Sequence, residues 1–336
     1  MKQIYLEKFN QGGYFMYRVP SIAVTQRGTV IACYECRNGG DWSAMDLVIR
    51  RSTDGGDTWS ERIYIAPSND VDAMHNGILF ADGDTVHLLY HRNYRELFYI
   101  KSTDEGVTWT EPRNISDAYL EVRKQYKWTV ADAGPGHGFI TKNGRMMIPV
   151  WLASNKANIT DHHPSVVTTL YSDDHGATWQ CGEIIWDSAD FIDPNESVLA
   201  ELPDGRIMIS SRHETRNGMR KFGFSPDGIS GWKDFYFEPQ ITEPICAAGM
   251  TQDDEHIWYT HCDCSEGRVN LCLHRSDDWG KTWNLIRQLD PLGGYSDAFY
   301  SSSDKRLYVI AETGREQVEV GHSFGMSVII LEQGEY

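Results

Sequence analysis

An eight-residue phrase that occurs five times limits what this chain can fold into more than any other feature. It reads Ser52-Thr53-Asp54-Gly55-Gly56-Asp57-Thr58-Trp59 at its first occurrence, and it returns at Ser102–Trp109, Ser172–Trp179 and Ser276–Trp283. A worn copy runs from Ser225 to Trp232. The shared core is Ser-x-Asp-x-Gly-x-Thr-Trp. Ser and Asp side chains accept hydrogen bonds from nearby backbone N–H groups and hold a tight turn. Gly supplies a conformation that other residues resist, and Trp buries a large ring against neighbouring strands. The phrase therefore reads as a hairpin turn with an anchor. The copies start at 52, 102, 172, 225 and 276, so the steps are 50, 70, 53 and 51 residues. Repeats at such periods predict a propeller or solenoid in which each repeat is one supersecondary unit. A calcium loop needs oxygen ligands at alternating positions and a closing Glu. Thr and Trp end the phrase instead, so the turns are read as structural and no metal is expected.

The segments between the turns alternate or form short β-rich runs, such as Val86–Tyr90, Arg145–Trp151, Arg206–Ser211, His256–Thr260 and Arg306–Ala311. Asp82-Gly83, Asn143-Gly144 and Asp204-Gly205 precede several of them as hairpin turns. Ser116–Lys127 holds the one short helical stretch. Five turns mark five blades. Past the last turn lie three more strand candidates, Tyr295–Ser301, Arg306–Ala311 and Phe324–Leu331, and Gln3–Phe9 is left without a blade. Pairing that first strand with the C-terminal ones completes a sixth blade and removes two free sheet edges. The expected fold is all-β, a single six-bladed propeller over residues 1–336 with four antiparallel strands per blade.

The formal net charge is −17 over 336 residues. The phosphate term that drives binding to nucleic acid or anionic membrane would be repulsive, so neither is expected as a partner. Seven cysteines cannot all pair within the chain. Cys33 and Cys36 fall three apart on a strand-like run, so they face opposite sides, and buried reduced thiols fit better than a metal or redox pair. The first residues carry no apolar leader stretch. The expectation is a cytoplasmic protein, or a secreted one if a leader has been lost.

A propeller by itself implies no activity. Chemically loaded residues, however, recur from blade to blade. Arg18-Val19-Pro20 is followed by Arg37 and Asp41, at offsets of 19 and 23 from Arg18. Asn195-Glu196-Ser197 opens a strand-turn-strand unit that ends in Arg212. Arg268 precedes the last repeat, Gly293-Gly294-Tyr295-Ser296-Asp297 opens the sixth blade, and Glu312 follows 17 residues after Tyr295.

With these residues in view, the chain resembles the sialidase (neuraminidase) superfamily of six-bladed propellers with Asp-box repeats. The likeness rests on the Arg-Val-Pro phrase, the repeated boxes, the Asn-Glu…Arg unit and the Gly-Gly-Tyr-Ser-Asp phrase, and it covers nearly the whole chain. It implies an arginine triad, Arg18, Arg212 and Arg268, for a substrate carboxylate, with Glu312 orienting Arg18. It implies Asp41 as acid/base with Arg37 beside it, Tyr295 as nucleophile and Glu196 as its base. The implied substrate is a terminal sialic acid or a related 2-keto sugar acid such as Kdn or Kdo, and no cofactor is needed. The chemistry is coherent. Guanidinium groups fork onto a carboxylate even in an acidic protein. A neutral phenol avoids the repulsion that a carboxylate nucleophile would meet, but it needs an adjacent base. Asp41 in its role requires a raised pKa. Asp46 competes with Asp41 for it, because the loop from Arg37 to Asp41 is short for the family. The loops 70–76, 131–137 and 151–163 are expected to shape the pocket for the rest of the sugar. The alternative reading is a glycan-binding propeller without turnover.

Overall fold

The computed structural model of the chain describes residues 1–314 and 324–336. Six antiparallel sheets follow one another along the sequence. Blade 1 comprises Met16–Val24, Val30–Arg37, Met45–Ser52 and Ile63–Ala66. Blade 2 runs from Met74–Asp82 to Arg113–Asn114, and blade 3 from Val130–Ala133 to Gln180–Cys181. Blade 4 spans Ser197–Glu201 to Lys233–Thr242, and blade 5 spans Gly249–Gln252 to Asn284–Leu292. Blade 6 is made of Ser296–Ser301, Arg306–Thr313 and Gly325–Leu331, with Lys2–Glu7 as its outer strand. Lys2 lies opposite Ile330 and Tyr5 opposite Ser327, so the first strand closes the ring as expected. Blade 3 departs from the four-strand expectation, because Phe139–Ile140 adds a fifth short strand against Met146–Ala153. The short helical stretch is present as a 3-10 turn at Ser116–Tyr119 running into an α-helix at Leu120–Gln125.

The core follows from strand alternation. Successive side chains point to opposite faces of a blade, and each face meets the next blade. Val30 and Ala32 pack with Tyr308, Ile310 and Val328 of blade 6. Ile31 and Cys33, one residue out of phase, pack with Leu79 and Leu88 of blade 2. Equivalent apolar seams fill the junctions of blades 2 and 3, 3 and 4, 4 and 5, and 5 and 6. Cys36 falls in the seam opposite to that of Cys33, and both thiols are buried and free, as the odd spacing requires.

The repeated phrase forms the turn between the third and fourth strands. In the first copy Gly56 N–H donates to Ser52 Oγ at 2.8 Å, and Thr58 N–H donates to Asp54 Oδ1 at 2.9 Å. Thr58 Oγ1 donates to Asp54 Oδ2 at 2.6 Å, and Trp59 Nε1 donates to Gly56 O at 3.1 Å. The Ser, Asp and Thr contacts repeat at 102, 172 and 276. These hydrogen bonds, above all the one from Thr58, hold the Asp54 carboxyl down at about 2. The glycine at the fifth position has φ between +81° and +88° in all four copies. In the worn copy the glycine has moved to Gly228, and its N–H reaches Ser225 Oγ one residue earlier.

Candidate active site

The innermost strands start on one face of the ring, and the loops on that face carry the loaded residues. A cavity of about 270 Å³ lies there. Of the eight residues singled out in the sequence, seven line it: Arg18, Arg37, Asp41, Glu196, Arg212, Arg268 and Tyr295. The eighth, Glu312, sits fully buried behind Arg18.

Three arginines from three blades meet around one phenol. Arg18, on the first strand of blade 1, has its guanidinium carbon 5.1 Å from the Tyr295 ring centroid. Arg268, in the loop before the third strand of blade 5, lies at 4.9 Å. Arg212, just past the second strand of blade 4, donates from Nη1 to Tyr295 Oη at 2.8 Å. The same Nη1 pairs with Glu196 Oε2. Tyr295 Oη donates to Glu196 Oε1 at 2.5 Å. Blade 4 brings Glu196 and Arg212 together through its backbone. Arg212 N–H donates to Glu196 O, and Asn195 N–H donates to Arg212 O, each at 2.9 Å. Burial and the Glu196 carboxylate push the Tyr295 phenol up, and Arg212, Arg268 and Arg18 only partly offset this. The phenol is therefore neutral at ordinary pH, and its proton points at a carboxylate.

Glu312 ties this group to the scaffold. Its Oε1 accepts Arg18 Nε at 2.6 Å and Val19 N–H at 3.0 Å, and its Oε2 accepts Tyr295 N–H at 3.1 Å. The approach leaves no room at Gly294, where a Cβ would stand 2.3 Å from Glu312 Oε2. Val19 has φ +53°, an outlier for a β-branched residue, next to a register shift between Arg18 and Ser21. The shift directly follows Arg18, which lines the cavity.

Arg37 and Glu35 share a face of the second strand in blade 1, and both are buried. Arg37 Nε donates to Glu35 Oε2 at 2.7 Å, and its Nη1 pairs with Asp41. The Asp41 side chain is half exposed, at 51%. Partial burial pushes its carboxyl up, but the Arg37 guanidinium outweighs that and holds it at about 2. This corrects the expectation of a raised pKa: at rest Asp41 is the ionised partner of Arg37. Asp46 lies away from the cavity. It accepts Tyr14 Oη and the Ser68 amide and pairs across the sheet with Cys36.

The remaining wall comes from the three loops expected to shape it, though only from parts of them. Asn76 represents 70–76, Asp132 represents 131–137, and Trp151, His162 and His163 represent 151–163. His137 points elsewhere: its Nδ1 meets Asp297 Oδ1 at 2.8 Å, and it lines a second cavity instead. Sequence reasoning missed Tyr94 and gave Asp132 no role. Tyr94 has φ +53° and lies tilted against His75, with centroids 3.7 Å apart. Asn93-Tyr94 at a hairpin end was the available signal. Glu35 was also missed, although its spacing of two from Arg37 places both on one strand face.

Residues 22–309 match the model of the BNR repeat-like domain. The chain belongs to this family. With its sialidase relatives and fold, it falls in the sialidase superfamily of BNR-repeat propellers. It is similar to a sialidase of Micromonospora viridifaciens, 25% identical over 317 residues that cover 83% of this chain and 47% of that one. A sialidase of Bacteroides fragilis is 24% identical over 314 residues, covering 81% of this chain and 55% of that one. The chain thus spans about half the length of the curated relatives it matches. The fold is that of the Hadza microbial sialidase Hz136, with a TM-score of 0.80 at 19% identity over 98% of this chain and 68% of that one.

Proposed function

We propose that this propeller is a retaining exo-glycosidase that releases a terminal sialic acid, or a related 2-keto sugar acid such as Kdn or Kdo, from a glycoconjugate. The observation that carries the reading is the 2.5 Å hydrogen bond from Tyr295 Oη to Glu196 inside a ring of three arginines. A lectin needs the arginines but has no use for a phenol aimed at a base. Arg18, Arg212 and Arg268 take the carboxylate on the anomeric carbon. Tyr295 Oη attacks that carbon while Glu196 takes the phenolic proton, and the bond to the leaving oxygen breaks as Asp41 protonates it. Water then attacks the same carbon and gives its proton to Asp41. The bond to Tyr295 breaks, and Glu196 returns the phenolic proton. Asp41 must be protonated for the first step. A bound sugar acid brings negative charge and expels water, and both raise a neighbouring carboxyl.

The low resting pKa of Asp41 and its pairing with Arg37 favour the second reading, a glycan-binding propeller without turnover. Hydrolysis of fluorogenic sialic acid, Kdn and Kdo glycosides separates the two. Turnover by the native protein, with loss of about a thousandfold or more in Tyr295→Phe and retained binding of a planar sugar-acid analogue, is the expected result. Binding of the analogue with no turnover of any glycoside leaves only the binding module.

A further inference from the structure

Asp41 stands in the loop 38–44 that follows the second strand of blade 1, behind Gly39 and Gly40. A Cβ on Gly40 would meet nothing within 4 Å, so the loop is not packed there. Among the described residues the Asp41 side chain hydrogen-bonds only to Arg37. The next residue, Trp42, joins the loop to the facing blades. Its Nε1 donates to Thr160 O at 3.2 Å, in the loop 151–163 of blade 3. Its ring centroid lies 4.7 Å from that of Tyr94, at the hairpin end of blade 2, and 6.4 Å from that of His162. Tyr94 and His162 line the cavity, and Trp42 does not. Of the hydrogen bonds and ring contacts made by residues 38–44, only those of Trp42 reach blades 2 and 3 among the described residues.

We propose that Trp42 is the positioning residue of the acid/base: docked on Tyr94 and Thr160, it holds the loop so that Asp41 stays aimed at the leaving oxygen. The inference rests on the exo-glycosidase reading of the cavity. The ion pair with Arg37 is strong while the Asp41 carboxyl is charged. The first step of the reaction uses the protonated acid, and the neutral group loses the charge–charge part of that attraction. The backbone of the loop then decides where the carboxyl points, and the loop's tie to blades 2 and 3 is one residue away. A general acid acts only within hydrogen-bond reach of the atom it protonates. A displacement of about 1 Å can cost about a hundredfold in rate. Tyr94 is a firm base for such a dock, because it is buried and its carbonyl accepts Ala131 N–H of blade 3 at 2.8 Å.

The test uses the intact protein and two aryl α-ketosides of the sugar acid that it turns over fastest. The 4-nitrophenyl ketoside has a leaving group that departs with little help, and the phenyl ketoside has one that depends more on a proton from the acid. Trp42→Ala should lower kcat/KM on the phenyl ketoside about tenfold more than on the 4-nitrophenyl one. Trp42→Phe keeps a ring against Tyr94 but loses the bond to Thr160, and its extra loss should be smaller, about threefold. A general defect of folding or of the arginine cluster lowers both substrates alike. Equal losses on the two ketosides, or none, in a folded Trp42→Ala overturn the inference, and if that variant does not fold, equal losses in Trp42→Phe do so. If the native protein turns over no ketoside, the exo-glycosidase reading fails separately. Amide exchange then decides whether Trp42 holds the loop. Ser43 N–H, which donates to Gly40 O at 2.9 Å, should exchange about tenfold faster in Trp42→Ala. An unchanged rate sinks the inference.

Discussion

Replacing Glu312 by Gln tests the organisation of the whole site, because this one carboxylate joins Arg18, Val19 and Tyr295. In the native protein both oxygens are occupied: Oε1 by Arg18 Nε and Val19 N–H, and Oε2 by Tyr295 N–H. Glutamine keeps one acceptor. If its oxygen stays on Arg18, its NH2 faces the Tyr295 N–H, donor against donor. The Arg18 side chain is 13% exposed and loses its only described carboxylate partner. Removing one partner of a buried pair costs about 3–5 kcal/mol, and the residual exposure of Arg18 argues for the lower end, about 3 kcal/mol. With a urea slope of about 3 kcal/mol per M, the unfolding midpoint should fall by about 1 M. Tryptophan fluorescence in urea measures it. Arg18→Met should also destabilise, since it strands Glu312. The double variant should cost at least about 1.5 kcal/mol less than the sum of the two. Affinity for a planar sugar-acid analogue should weaken more than about tenfold in Glu312→Gln, since Arg18 is no longer aimed. A midpoint within about 0.2 M of the native protein, or additive single costs, would refute the reasoning.

Two further outcomes follow from the structure. The Asp41 carboxyl is held at about 2, against 3.8 ordinarily, so its pairing with Arg37 stabilises the fold above about pH 4 and ceases to do so as pH falls toward 2. Asp41→Asn should therefore lower stability slightly near neutrality, by less than about 1 kcal/mol because the group is half exposed, and the difference should vanish by about pH 2 in acid-unfolding curves. In the third strand of blade 2, Ser102 Oγ accepts the buried Gly106 N–H at 2.8 Å and donates to Asp104 Oδ1 at 2.7 Å. Ser102→Ala should cost about 1–3 kcal/mol in thermal unfolding and leave glycoside turnover unchanged, because the boxes lie on the ring face opposite the cavity.

Local chemistry determined much of this protein before any fold was known. The box phrase closes its own turn through Ser, Asp, Gly and Thr within eight residues, so its spacing alone counts five of the blades. Strand parity sent Cys33 and Cys36 to different seams. The order Arg18, Arg37, Glu196, Arg212, Arg268, Tyr295 was legible because each residue stands at the same end of its blade. What the tertiary structure decided is how those blade ends are charged. Asp41 was expected to be a poised acid. It is ionised instead, because the buried Arg37 is fixed by Glu35 and lies within reach, and an ion pair of that strength depends on distances that no spacing reveals. Asp132 carried no motif at all. Its place on the cavity wall beside His91 of blade 2 joins sequence-distant elements of a closed ring, and such contacts are set by packing.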